Sequence, residues 1–369
     1  MRIKTYITKV LLLLVVISLL SACTQSNSAI SNDESDIINS QFIELEKLLI
    51  PKKASGDIDF EKMDISDHQH IAYLLLAESR IKSNPDVIEQ LAQYLVDHSD
   101  DNEDGEIGWG LGFEWDEFAD GSVNPKWHVY TIETANVLQA YVEALLSGCL
   151  SDKLSNTLKQ QIKDVILVWN SKYWTDSTDS GEQFFYWYSI SENDAKPIAN
   201  IDAKMIGVQA QVMHYYKDLF SKSEQTLIYN HIDCCYAKLI QCSYFEDNSL
   251  IWNYFEYSDV AQNDAIHHGF ILEGLDSYLR YRYGKGIPAD GQLYTGFIYK
   301  CLNDNTIYRY PDYKTCRCFE TGAIRWIKDR SVQKDLLISA YEQYVGTDDI
   351  PYRQLAFLFD SMSLYISTE

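Results

Sequence analysis

The sequence predicts an all-α protein, an (α/α)6-type toroid of helical hairpins with long aromatic-rich loops at one mouth. Three observations predict it. Apolar residues recur at helical spacing from residue 41 to the C-terminus, while strand alternation is scarce. Helices rich in small residues alternate with more charged ones, as an inner and an outer ring require. Acidic openings also repeat, at Glu133-Thr134-Ala135, Asp202-Ala203, Asp264-Ala265 and Glu320-Thr321-Gly322, each ahead of a small-residue helix. Helices are expected over 41–50, 67–81, 84–97, 130–147, 154–172, 198–219, 223–243, 263–283, 288–302, 316–328, 332–344 and 351–366.

The N-terminus reads as an address. Arg2, Lys4 and Lys9 flank an apolar run from Val10 to Leu20. That run is shorter than the roughly 20 residues a spanning helix needs and fits a signal peptide. It ends in Leu20-Ser21-Ala22-Cys23, which resembles the bacterial lipobox, so Cys23 is the expected lipidation (palmitate) site. The expected division is a signal over 1–22, a lipidated cysteine and flexible tether over 23–40, and one domain over 41–369. The expected location is the bacterial cell envelope, periplasmic or outer face, with membrane contact through the acyl chains alone.

The helices carry readable faces. Leu158, Ile162, Val165, Ile166 and Trp169 form one stripe, and Leu227, Ile228, Ile232, Cys235 and Leu239 another. Ser155 and Ser223 suggest helix caps, and Asn84-Pro85 is a helix start. Seven cysteines follow Cys23, an odd number, and Cys234-Cys235 and Cys316-Arg317-Cys318 lack structural zinc spacing. They read as small buried hydrophobes rather than as a disulfide framework.

Composition narrows the partners. The formal net charge is -23, which speaks against nucleic acid, because phosphate binding needs a basic face. Hydrophobic residues make up 46%, too many for a disordered chain. The chain holds 27 Tyr, 14 Phe and 8 Trp, and about half of these rings fall in loops 107–130, 173–188, 244–257 and 308–319. Each loop precedes an inner helix, so the toroid gathers them at one mouth. Ring faces beside carboxylates and amides suit a sugar, which stacks on one and bonds to the other. The candidate platform is Trp109, Trp115, Trp127, Trp187, Trp252 and Tyr254, with Asn200 and Asn263 as polar partners.

Two stretches carry the most specific signal. Gly108-Trp109-Gly110-Leu111-Gly112-Phe113-Glu114-Trp115-Asp116 runs on through Asn124-Pro125 to Tyr130-Thr131-Ile132-Glu133-Thr134-Ala135. Asn263-Asp264-Ala265-Ile266-His267-His268-Gly269-Phe270 continues to Tyr278. Together they resemble bacterial α/α-toroid proteins of polysaccharide metabolism, the group that holds glucuronyl C5-epimerase-like domains and toroidal polysaccharide lyases. The resemblance covers roughly 97–285 in scattered motifs and matches no single family residue by residue.

On a helix, His267 and His268 lie about 60° and 40° to either side of Asp264, so all three fit one face. Imidazole beside a carboxylate suits proton transfer near neutral pH. The resemblance implies a lyase or C5-epimerase in which such a base removes the C5 proton of a uronate. Tyr257, Tyr254 or Tyr130 would act as second acid/base, and Asn200 and Asn263 would neutralise the substrate carboxylate. Hydrolysis is the alternative, since Glu133, Asp202, Asp264 and Glu320 offer carboxylate pairs. A glycan-binding or assembly lipoprotein without chemistry is the third.

Asp100-Asp101-Asn102-Glu103-Asp104-Gly105-Glu106 carries Asp100, Asn102 and Asp104 at positions 1, 3 and 5 of an EF-hand-like loop, with Glu106 adjoining. Leu111 stands where the bidentate Glu belongs. Calcium is the one cofactor expected; no organic cofactor is. His68 and His70 lie about 200° apart on a helix, poorly placed for one metal.

The N-terminal reading is tested with Cys23→Ser. Labelled palmitate should no longer enter the chain, which should leave the membrane fraction; unchanged labelling would overturn the lipidation site.

Overall fold

The computed structural model describes residues 32–82, 84–178, 181–246, 248–256, 263–288, 324–327, 329–345 and 352–368, together with Tyr294, Gly296 and Ile298. Two compact units are present, Met1–Ile37 and Ile38–Glu369. The described part of the first is helical. The second is an (α/α)6-type toroid.

Ten α-helices lie among the described residues: α1 (Asn32–Leu49), α2 (His68–Ile81), α3 (Pro85–Asp97), α4 (Thr131–Ser147), α5 (Asp152–Ser171), α6 (Ala199–Tyr216), α7 (Lys222–Cys242), α8 (Ala265–Tyr283), α9 (Arg330–Tyr344) and α10 (Tyr352–Ser367). Inner helices pack side by side in the order α8, α6, α4, α2, α10. Outer helices α3, α5, α7 and α9 lie over them. Helix α1 begins at Asn32, inside the stretch expected to be a tether, and stacks Phe42 on Phe359 of α10 with centroids 4.2 Å apart.

The two rings differ because their surroundings differ. Every residue of α6 from Ala199 to Met213 is buried, and so is every residue of α2 from His68 to Ser79. A helix covered on all sides needs no amphipathic stripe. Outer helices bury one face only. Helix α5 turns in Leu158, Ile162, Val165, Ile166 and Trp169, the stripe read from sequence. Helix α7 turns in Ile228, Ile232, Cys235 and Leu239, while Leu227 is exposed.

Local sequence sets the helix starts. Asn84 accepts from the Asp86 amide, and Pro85 opens α3. Ser151 caps α5, and Ser221 with Glu224 forms a capping box on α7. These, rather than Ser155 and Ser223, are the caps, because each helix runs further toward its N-terminus than its apolar stripe does. Cys149, Cys234, Cys235 and Cys242 are free thiols.

Two loops carry antiparallel hairpins, β1 (Trp174–Thr178) with β2 (Gly181–Tyr186) and β3 (Tyr244–Glu246) with β4 (Ser249–Ile251). A small apolar cluster of Leu111, Tyr130, Tyr188, Ile198, Ile201 and Tyr254 forms a layer apart from the main core.

Helices α6 and α8 touch through glycine. A Cβ at Gly274 would overlap the backbone carbonyl of Ala203, and one at Gly207 would come within 2.6 Å of the Gly274 oxygen. Neither neighbour is a side chain that can swing aside. Gly274→Ala should therefore lower unfolding free energy by about 1–3 kcal/mol, measured by urea denaturation; an unchanged midpoint would show that the two backbones can separate freely.

Candidate functional site

The starts of four inner helices, α2, α4, α6 and α8, converge on the aromatic layer, and each carries an acid. Asp67 caps α2: one carboxylate oxygen accepts the His70 amide at 2.8 Å, the other the Ser66 hydroxyl at 2.9 Å. Arg353, on α10, lies 3.5 Å from that second oxygen. Glu133, in the first turn of α4, accepts the Gln69 amide of α2 at 2.8 Å. A helix's first amides have no intrahelical acceptor, so a carboxylate is well placed there. Both acids are buried. Burial, and then the neighbouring Asp67 charge, push Glu133 well above the ordinary carboxyl range.

The next two helices repeat the arrangement. Asp202, in the first turn of α6, accepts the Tyr186 amide at 2.7 Å. Its pKa is driven well up by burial and by the adjacent Glu256 carboxyl. Asp264 caps α8, accepting the His267 amide at 2.8 Å and lying 3.0 Å from His267 Nδ1.

The sequence-predicted residues divide between mouth and core. His267 is partly exposed and packs edge-on against Tyr254, with centroids 4.9 Å apart. His268 is fully buried, its Nε2 is 3.2 Å from the Tyr294 carbonyl, and burial lowers its pKa to about 4. The shared face expected for the two imidazoles is therefore not formed. Tyr130 and Tyr254 are buried in the loop layer; the Tyr254 hydroxyl donates to Glu117 at 2.6 Å. Asn200 and Asn263 are buried at the starts of α6 and α8, and Asn263 accepts the Asp264 amide. Tyr257, Glu320, Cys23 and loop 308–319 lie outside the described residues.

The aromatic loops do meet. Phe118 of loop 107–130 lies 5.2 Å from Tyr188 and 5.7 Å from Phe255, joining three loops. Not every ring is presented. Trp109 and Trp252 belong to the core: each indole N–H is bonded to a backbone carbonyl, of Leu95 and Leu239 respectively. Trp115 is 41% exposed beside Phe113 at 39%, and its indole donates to Glu117. Trp127 and Trp187 are half-buried.

Two acids escaped the sequence reading. Asp67 heads an inner helix as Glu133 does, but no small residue follows it to mark the repeat. Its signal is Ser66-Asp67 before an apolar run. Glu256 has no sequence signal; tertiary packing alone brings it to Asp202.

The acidic loop is braced from within, while the shielded Asn102 amide oxygen has no partner in the protein. Asp100 accepts the Gly105 amide, Asp104 accepts the Glu106 amide, and Asn102 donates to Asp104. Glu106 points to Lys172 and to the Tyr173 hydroxyl. Among the described residues, His68, His98 and Asp101 are the group whose donor atoms converge, within 4.8 Å of one another. Hydrogen bonding argues against a metal there. His68 Nδ1 accepts the Gly110 amide at 3.0 Å, so a neutral ring carries its proton on Nε2, which faces Asp101 at 3.2 Å. That nitrogen then has no lone pair for a cation.

No family model and no curated relative matches the chain. Solved structures do. A β-1,3-1,4-glucanase from Paenibacillus sp. X4 is similar with a TM-score of 0.54 at 12% identity, covering 95% of this chain and 96% of that one. A GH8 xylanase from Teredinibacter turnerae, solved with xylohexaose, has a TM-score of 0.58 at 9% identity over 92% and 95%. A metal-independent α-mannosidase from Streptococcus pneumoniae has 0.51 at 11% identity over 92% and 95%. These likenesses establish the toroid.

The tautomer assignment predicts that nitrogen-15 NMR will show His68 protonated at Nε2 and bare at Nδ1. Stoichiometric Zn²⁺ should leave the His68 and His98 signals in place; a joint displacement would establish ligation.

Proposed function

We propose that this chain hydrolyses glycosidic bonds in a polysaccharide or oligosaccharide, with the Asp67–Glu133 pair as proton donor and Asp264 as the base that activates water. The observation that carries this reading is the Asp67–Glu133 pair itself. A general acid must hold its proton at the working pH, and burial beside a second carboxylate does that for Glu133. Asp264 sits at an equivalent helix start, with His267 fixing one of its oxygens. Glycoside hydrolysis asks for two such carboxyl functions flanking the bond.

Around these acids, Trp115, Trp127 and Trp187 are the proposed sugar platforms, being the candidate tryptophans that are not buried. Asn200, Asn263, Tyr130 and Tyr254 shape the floor beneath them. The neighbouring toroids include a glucanase, a xylanase and a mannosidase, which supports a sugar substrate. Proton abstraction from a uronate fits less well. It asks for an accessible tyrosine beside the imidazole base, and Tyr130 and Tyr254 are buried, as is His268. Lipidation at Cys23, placing the chain on the cell envelope, completes the reading.

The test is a screen of the full-length chain in detergent against β-glucan, xylan, mannan and a polyuronate. Reducing ends and unsaturated-uronate absorbance are followed together. Asp67→Asn, Glu133→Gln and Asp264→Asn should each lower reducing-end release by about 10²–10⁴-fold. Full activity in all three would remove the assignment. Absorbance from the polyuronate would restore the lyase, and binding of a glycan without any turnover would leave a binding protein.

A further inference from the structure

Asp202 and Glu256 present an accounting problem in buried acceptors. Asp202 is fully buried and Glu256 nearly so. The Tyr186 amide satisfies one Asp202 oxygen. The other Asp202 oxygen and both Glu256 oxygens accept from no N–H or O–H of the surrounding protein, and the Cys235 thiol, a weak donor, is a further group in reach of Asp202. Yet the two carboxyl groups lie within hydrogen-bond reach of each other. Two ionised carboxylates cannot bond to one another and repel strongly in a low-dielectric setting. One proton between them converts the repulsion into a charge-assisted hydrogen bond.

The pair sits where two backbone stretches meet. The Ala199 amide donates to the Tyr254 carbonyl at 3.1 Å, Ile198 bridges Phe255, and the Glu256 amide donates to Pro197 at 3.3 Å. Tyr254 in turn packs its ring against His267. We propose that Asp202 and Glu256 share a single proton, and that this shared proton clamps Tyr254–Glu256 onto the start of α6, making the two acids positioning residues for the mouth. The clamp is a property of the fold and holds whatever the chain acts on; its effect on turnover rests on the hydrolytic reading.

The groups facing the pair are Tyr186 on β2 and Cys235, Cys242 and Lys238 on α7. Lys238 is the one cation among them, and its charge favours ionised Glu256. Burial opposes it and prevails, raising Glu256 to about 7. The sign of the linkage follows. Below pH 7 the folded pair keeps protons that the unfolded state loses near pH 4, and above it Asp202 still keeps one, so folding stability falls as pH rises through 7 and goes on falling beyond it.

Melting temperature against pH tests the clamp without any substrate. Between pH 5 and 8 the wild-type protein should lose about 3–6 °C relative to Glu256→Gln, whose amide can donate to Asp202 without titrating. Asp202→Asn should flatten the curve in the same way. Curves parallel to wild type in both variants would overturn the proposal. If neither variant folds, carbon-13 NMR of wild-type protein labelled at glutamate carboxyls decides: two signals should titrate well above the ordinary carboxyl range, as burial requires of Glu133 and Glu256, and fewer than two would overturn it. For the link to turnover, Glu256→Gln should extend activity to higher pH than wild type. A falling stability curve with no shift in the activity profile would retain the clamp and reject its role in the mouth.

Discussion

The unpaired amides at the starts of the inner helices are the constraint around which this molecule is arranged. A toroid buries those helix ends, so their N–H groups cannot rely on water. Acids answer the need. Asp67 takes the His70 amide, Glu133 takes the Gln69 amide of the neighbouring helix, and Asp264 takes the His267 amide. Asp202 works in the other direction, holding the Tyr186 amide of the hairpin loop to α6. The chemistry proposed for the mouth is therefore drawn from groups that already hold the ring together. Alanine in place of such an acid would leave an amide without its acceptor as well as remove the chemistry, whereas Asn or Gln keeps an accepting oxygen there.

Burial at these positions creates a second problem, and the fold solves it with protons and cations. A buried carboxylate without a partner is unfavourable by several kcal/mol. Deeper in the ring the partner is a cation: Lys204 meets Glu273 at 2.7 Å, and Arg80 pairs with Asp360. At the mouth, Glu133 and the Asp202–Glu256 pair keep protons instead. The two solutions suit their locations. An ion pair is an inert strut, whereas a retained proton can be delivered to a substrate or shared between two chain segments.

The outer ring was legible because it borders water. Solvent on one side forces an apolar stripe, and the stripe on α5 appears in the sequence residue by residue. Its cap did not, since Ser151 lies about two turns before Leu158 begins the clear part of the pattern. The inner ring was legible through small residues and acidic openings, which is why Asp67, followed by His68 and Gln69, went unread. Angular position about a helix was correct for His267 and His268, but it says nothing of depth. One imidazole meets the loop layer, and the other, a residue further on, meets Tyr294 in the core. The aromatic excess split in the same manner. Trp109 and Trp252 have apolar surroundings and carbonyl partners below the loops, while Trp115 stands on the loop itself.

That division of the rings bears on how the mouth can recognise a sugar. A glycan needs a few rings with open faces, held still, above groups that can bond to hydroxyls. Glu117 supplies the stillness, because it accepts from the Trp115 indole at 2.8 Å and from the Tyr254 hydroxyl at 2.6 Å. One carboxylate thus ties an exposed platform ring to a buried ring that packs on His267. The path continues from His267 to Asp264, and from the Tyr254 backbone to the start of α6. The aromatic platform and the acids are consequently one connected assembly. In the hydrolytic reading, a movement of the proposed platform ring Trp115 has a direct mechanical route to the carboxylate proposed to activate water.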